Sequence, residues 1–314
     1  MGKENKNLKS AQLITREGEN IGCVVYDETK QTVELKVIDK NRKEAQHKKA
    51  SNLREMTKFT ENNEGSFIQL IYQYSDPIFK ELRSVCSTES NANIHMVRFI
   101  QLATYSTFGG KLFDKQRHRI KRSSLKNIWL LNDNAQVKRT YDMLMKCGYI
   151  YETEEGYLMI NKDILVKGKV DDFSKKKRKN PDITYTRLYA QNFQHLYEET
   201  YPPSRRHLSI LLKILPYLNY KLNIFCSNPM EEDTNNIIPL DWVELAAICG
   251  IEKSKLKAFK KNLSELTIFG SPIIDTVLTN EKQSIHINPK IYYSGDDVED
   301  VRYLYKIFKM CENE

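Results

Sequence analysis

Along the first fifty residues the apolar positions have the spacing of β-structure. The run LITREGENIGCVVYDE from Leu13 leads into TVELKVIDK, where Val33, Leu35 and Val37 alternate with Glu34 and Lys36. A period of two with one polar face predicts half-buried strands. The segment therefore reads as a small β-appendage ending near Lys49, behind a polar and disordered tail of the first ten residues. Residues 50–65 are polar. From Ser66 to Val85, Phe67, Leu70, Ile71, Tyr74 and Ile78 recur at helix-like spacing across Pro77 and predict a connecting helix, and CSTESNANI from Cys86 reads as a loop.

Beyond that loop one order of elements occurs twice. The first pass opens with a helix from His95 to about Phe108, with Val97, Ile100 and Ala103 on one stripe, broken at Gly109-Gly110. It continues through the basic connection KQRHRIKRSS, a short helix LKNIWLL, the polar turn NDN, a helix AQVKRTYDMLMKC with Gly148 as its C-cap, and a hairpin YIYETEEGYLMIN. The second pass runs from helix RHLSILLKILPYLN to strand LNIFCS, helix LDWVELAAIC, a turn at Gly250 and helix SKLKAFKKNLSEL. It closes on strands SPIIDTVLT and SIHIN around the turn NEKQ. Both passes end alike, since Ile160-Asn161-Lys162-Asp163-Ile164 aligns with Ile287-Asn288-Pro289-Lys290-Ile291. The offset, 287 minus 160, is 127 residues. That is too long for a solenoid repeat and suits two copies of one domain.

Between the passes lies VDDFSKKKRKNPDI, whose basic run Lys175 to Lys179 reads as an exposed linker in preference to a nuclear-localisation signal. After the second pass, Val298, Val301, Leu304, Tyr305 and Phe308 form an amphipathic helical stripe expected to pack on the second domain.

Composition and charge add further constraints. With 314 residues, 40 % of them hydrophobic, the chain is large enough for two cores. No run approaches the roughly 18 apolar residues of a membrane span, and MGKENKNLKS lacks a signal-peptide core, so a soluble cytoplasmic protein away from membranes is expected. Gly2 does not open a myristoylation motif, because residue 6 is Lys. Cys23, Cys86, Cys147, Cys226, Cys249 and Cys311 stand singly, without C-x-x-C or a nearby His, which predicts reduced thiols and no structural metal. The net charge of +8 is regional: residues 91–180 hold 19 basic and 9 acidic side chains, or +10, leaving 8 − 10 = −2 for the rest. Such an excess points to a polyanionic partner at one part of the molecule.

The sequence lacks a phosphate loop, a dinucleotide fingerprint, a nucleophile elbow and an H-E-x-x-H metal motif. Its six His residues are isolated from one another, so neither an enzyme nor a cofactor is expected. The positive signal lies at residues 242–261. Two helices that cross steeply need a small residue at the crossing and a Gly of positive φ in the turn, and Ala246 and Gly250 supply them. Leu245, Cys249, Ile251, Leu256 and Phe259 occupy the buried spacings. With Leu256, Phe259 and Leu263 inward, Ser254, Lys257, Ala258 and Lys261 face outward, flanked by Lys253 and Lys260. Small residues and lysines suit a helix laid in a major groove, with Lys282 in the wing turn beside it.

In the first pass Asn132-Asp133-Asn134 stands in place of the glycine turn. Val137, Tyr141 and Leu144 point inward, leaving Ala135, Arg139, Asp142 and Lys146 outward, with Asn134, Gln136 and Lys138 near the helix start. Gln136 and Arg139 are the candidates for base readout. Upstream, Lys115, Arg117, Arg119, Lys121 and Arg122 end in Ser123-Ser124 and form a cluster expected to bind phosphate.

With helix, helix-turn-helix and wing present twice, the chain resembles the tandem winged-helix replication initiators of plasmids and phages. INPKIYYSG at 287–295 is similar to the strand-ending segment of Firmicute plasmid RepL-type proteins. The likeness covers roughly residues 91–296; the β-appendage and the glycine-free first turn depart from it. It implies an α+β, mainly α fold of two winged helix-turn-helix domains. The expected boundaries are 1–60 for tail and appendage, 61–170 for connecting helix and first domain, 171–183 for the linker, 184–296 for the second domain and 297–314 for the terminal helix. The implied activity is binding of double-stranded DNA at origin repeats and recruitment of host replication proteins, with a homodimer left open. A phage or plasmid transcriptional regulator using the same surface, and a protein-binding scaffold, are the alternatives. One chain is expected to contact two half-sites about one helical turn apart.

Overall fold

The computed structural model describes residues 8–14, 20–27, 32–36, 47–48, 51–52, 54–56, 58–59, 65–73, 79–167, 183–279, 282–293, 295 and 297–310. Residues 1–58 and 59–314 form two compact units. The first holds β1 (Leu8–Ile14), β2 (Asn20–Asp27) and β3 (Thr32–Lys36) in an antiparallel sheet of that order. The β-appendage is present, but its first strand begins inside the segment expected to be a tail, because Leu8 pairs with Asp27. Val37 and the basic linker 171–182 lie outside the described residues.

The second unit is built on a sheet in which β4 (Phe67–Gln73) lies between β7 (Leu165–Lys167) and β8 (Ile183–Tyr189). The connecting helix expected from Ser66 is therefore a strand over its first half, and only α1 (Lys80–Val85) is helical. A short apolar run cannot be assigned to strand or helix by periodicity alone; antiparallel partners on both sides decide it here.

The loop expected at Cys86 is also corrected. α2 (Glu89–Ala103) starts there, with the Thr88 hydroxyl accepting the Asn91 N–H at 3.2 Å as an N-cap. This helix buries Ala92, Met96, Val97, Phe99, Ile100, Leu102 and Ala103, as expected of a helix enclosed by neighbours on most sides. The first pass continues with α3 (Leu125–Ile128), α4 (Asn134–Lys146) and the hairpin of β5 (Ile150–Glu152) and β6 (Leu158–Ile160). The second holds α5 (Ala190–Glu199), α6 (Leu208–Ile214), α7 (Trp242–Ile248) and α8 (Leu256–Ser264). β9 (Thr267–Ile268) pairs with β10 (Ser271–Pro272), and β11 (Ile274–Thr279) with β12 (Lys282–Ile287). The expected strand LNIFCS makes only isolated bridges, Ile224 to His286, Phe225 to Leu218 and Cys226 to Pro239. α9 (Val298–Met310) buries Val298, Val301, Leu304 and Phe308 and lies against β10. The described architecture is α+β, mainly helical, with small sheets. The segments 61–170 and 184–296 both lie within the second unit, and their apolar residues join one continuous core.

The duplication reaches individual hydrogen bonds. Asn161 donates its backbone N–H to Tyr149 and its Nδ2 to Gly148, while its side-chain oxygen accepts from Asp163 and its carbonyl from Ile164. Asn288 does the same with Ile273, Pro272, Lys290 and Ile291. Each asparagine thereby ties the end of a hairpin to its beginning. The Ile71 N–H then donates to Ile164 at 2.8 Å, and the Tyr189 N–H to Ile291 at 3.1 Å. Within the β4–β8 ladder Leu70 faces Thr186 and Leu188 faces Ile68. As Leu70 also pairs with Leu165, and Leu188 with Tyr292, the ladder reads alike from either strand about the Gln69–Arg187 pair. The register therefore carries an approximate two-fold relation between the passes.

Candidate nucleic-acid interface

In the second pass α7 begins with a capping box: Asp241 accepts the Glu244 N–H at 2.8 Å while Glu244 accepts the Asp241 N–H at 2.8 Å. Ala246 is buried, and the Ile251 N–H returns to the Ala246 carbonyl across Gly250, whose φ of 72° places it in the left-handed region. α8 then buries Phe259 and Leu263, with Phe259 edge-on to Trp242 at 6.1 Å. That packing leaves Lys253, Ser254, Lys257, Lys260 and Lys261 exposed. Lys260 lies over the Trp242 ring at 5.4 Å, Lys261 is 3.7 Å from Glu265, and Ser254 Oγ is 3.4 Å from Glu252. Among the described residues no carboxylate lies within ion-pair distance of Lys253 or Lys257. Lys282 lies in β12, next to the hairpin turn; its side chain is outside the described residues.

The first pass reaches the same turn by a different residue. Leu130, not the Asn132-Asp133-Asn134 run, takes the positive φ, at 49°, and the Leu131 N–H returns to Lys126 as that of Ile251 does to Ala246. Asp133 is the N-cap of α4, accepting the Ala135 N–H at 2.8 Å. Asn134, Lys138, Arg139, Asp142 and Lys146 are exposed. Lys138 is 2.5 Å from Asp142, and Arg139 is 3.9 Å from Asp133. Gln136 is half-buried, and its side-chain oxygen accepts from Arg98 at 2.9 Å, so one of its two readout groups is already engaged.

The basic connection sets its charged groups over aromatic rings. Arg119 lies 4.6 Å and Lys121 4.8 Å from the centroid of Tyr157 in the hairpin, and Arg122 lies 4.6 Å from Tyr141 of α4. Such contacts hold a cation in place without neutralising it. Lys121, Arg122 and Ser123 are exposed, as is Arg117 at a φ of 67°, while Arg119 is half-buried and Lys115 is 3.6 Å from Glu198. Tyr141 in turn donates to Glu152 at 2.6 Å; burial first, and then this bond, pushes its hydroxyl up to about 12.

A polar network escaped the sequence reading. Arg98, inside the apolar run IHMVRFIQLA, donates to Thr140 at 2.7 Å and to Gln136, and its carbonyl accepts the Trp129 indole N–H at 2.8 Å. His95 Nδ1 lies 3.0 Å from the same Thr140 hydroxyl. Burial, then Arg98 and Arg139, pulls His95 down to about 4, so the ring is neutral and Nδ1 accepts the Thr140 proton. A charged residue directly flanked by apolar ones, Met96-Val97 before it and Phe99-Ile100 after it, was the signal available.

Cys86, Cys147, Cys226 and Cys249 are free thiols, and burial pushes all four up, Cys249 to about 12. Among the described residues no group of His, Cys, Asp or Glu is placed to hold a metal, and no helix is long and apolar enough to cross a membrane. No protein-family model, curated protein or solved structure matches the chain.

Proposed function

We propose that the chain binds double-stranded DNA in a sequence-specific manner through two winged helix-turn-helix units, as a replication initiator of the plasmid or phage type acting at origin repeats. One observation carries this reading. α4 and α8 follow equivalent turns in the two passes, and each exposes a row of cations, Lys138, Arg139 and Lys146 on one and Lys257, Lys260 and Lys261 on the other, with Lys253 in the 3-10 turn just before it. The approximate two-fold register about Gln69 and Arg187 supports inverted half-sites, because operator symmetry mirrors protein symmetry.

Enrichment of bound duplexes from a random pool, followed by affinity measurement on the selected site, tests the proposal. Two half-sites are expected, with Arg139→Glu and Lys257→Glu each weakening the selected duplex at least tenfold and lowering the slope of log affinity against log salt. A pool that yields no common site, or a double variant that binds like the parent, refutes it. Occupancy in cells at one origin supports the initiator role; occupancy spread over promoters supports a transcriptional regulator instead.

A further inference from the structure

A groove of about 670 Å³ runs between α2, the outer side of α4 and the 3-10 turn Pro202–His207. Arg98, Arg139, Lys146 and Arg206 line it. Arg98 is only 7 % exposed; its two terminal nitrogens are bound to Thr140 and Gln136, and its Nε has no acceptor. Among the described residues no carboxylate lies within ion-pair distance of Arg98, Lys146 or Arg206. The acid in the lining, Asp142, is held by Lys138. A buried guanidinium that is paired only with neutral groups and lacks a counter-ion is costly, and an anion entering beside it relieves that cost.

The ligand class follows from the rest of the lining. Ser87, Ser90 and Asn91 place the first turn of the 15-residue α2 at one end of the groove. Apart from the Asn91 N–H, which the Thr88 hydroxyl caps, the first N–H groups of that turn have no intrahelical acceptor, and the helix start favours negative charge. From Ser90 to Arg98 the helix rises roughly 12 Å, more than one phosphate spans. Ile94, Met143, Pro202 and Pro203 add an apolar wall beside the cations. Several forked donors for tetrahedral oxygens, next to a surface that accepts a ring, fit a nucleotide better than a carboxylate.

We infer that this groove is a nucleotide-phosphate site, in which Arg98, Arg139 and Arg206 hold the phosphate and the Ile94 wall takes the nucleoside. The phosphate can belong to a free nucleotide or to a nucleic-acid strand. In the second case the inference rests on the duplex-binding reading; in the first it stands without it.

Calorimetric titration of the full chain with pyrophosphate, with ATP and with the selected duplex separates these sources. Arg206 is exposed, so Arg206→Gln leaves folding intact, and Arg98→Lys, checked by thermal unfolding, probes the buried donor. Saturable 1:1 binding of ATP or pyrophosphate, weakened about tenfold in Arg206→Gln and unchanged in Lys257→Glu, identifies a free nucleotide. If neither small ligand binds, but Arg206→Gln weakens the duplex and lowers its salt slope by about one, the phosphate is the strand's. Absence of saturable binding by either small ligand, together with a duplex affinity that is nil or indifferent to Arg206→Gln, overturns the inference.

Discussion

Asn161 and Asn288 make the same four hydrogen bonds in different surroundings, so truncating them should cost unequal amounts. Asn288 is fully buried. Asn288→Ala strands the Pro272 carbonyl, 3.0 Å from Nδ2, and the Lys290 N–H, 3.0 Å from Oδ1. At about 1–3 kcal/mol for each group left unsatisfied, and less where water reaches it, the loss is about 2–4 kcal/mol. Asn161 is half-buried and its side-chain bonds to Gly148 and Asp163 are exposed, so water replaces them and Asn161→Ala costs about 1 kcal/mol or less. Urea unfolding followed by tryptophan fluorescence reads this directly, because both tryptophans, Trp129 and Trp242, lie in the unit that holds both asparagines. The expected result is a lower midpoint for Asn288→Ala with an unchanged slope, and a near-parental curve for Asn161→Ala. Equal losses, or the reverse order, would show that burial does not set the strength of these ties.

Other expectations are equally specific. Gly250→Ala should cost about 1 kcal/mol, since Ala is strained at positive φ, whereas Leu130→Gly, at a position already strained, should be neutral or stabilising in the same urea assay. Thr140→Val removes one of the two acceptors of the Arg98 guanidinium without changing side-chain volume, and a loss of about 2–3 kcal/mol is expected, with Thr140→Ser close to the parent. Burial also holds His95 and His286 near 4, so the unfolded chain binds more protons than the folded one between pH 6.5 and 4. Stability is complete above pH 6.5 and falls on acidification, by up to roughly 3 kcal/mol for each histidine at the low end of that window. A urea midpoint that is flat from pH 7 to pH 5 would contradict it.

Features that depend on neighbours in sequence were legible from the chain alone. The 3.6-residue spacing of Val137, Tyr141 and Leu144 puts one face of α4 inward, Asp133 caps it, and Gly250 takes the left-handed turn its position suggested. The exposed cations of α4 and α8 follow from that same spacing, because fixing the apolar face also fixes its opposite. The repeated Ile-Asn segment announced a duplication that the hydrogen bonds of Asn161 and Asn288 repeat. What depends on residues far apart was not legible. Phe67–Gln73 is a strand because Leu70 meets Leu165 on one side and Thr186 on the other. Arg98 is tolerated in the core because Gln136 and Thr140 reach it from another helix. Local spacing determines which face of a segment avoids water; which distant segment covers that face, and so which polar groups are enclosed with it, is settled only when the chain closes on itself.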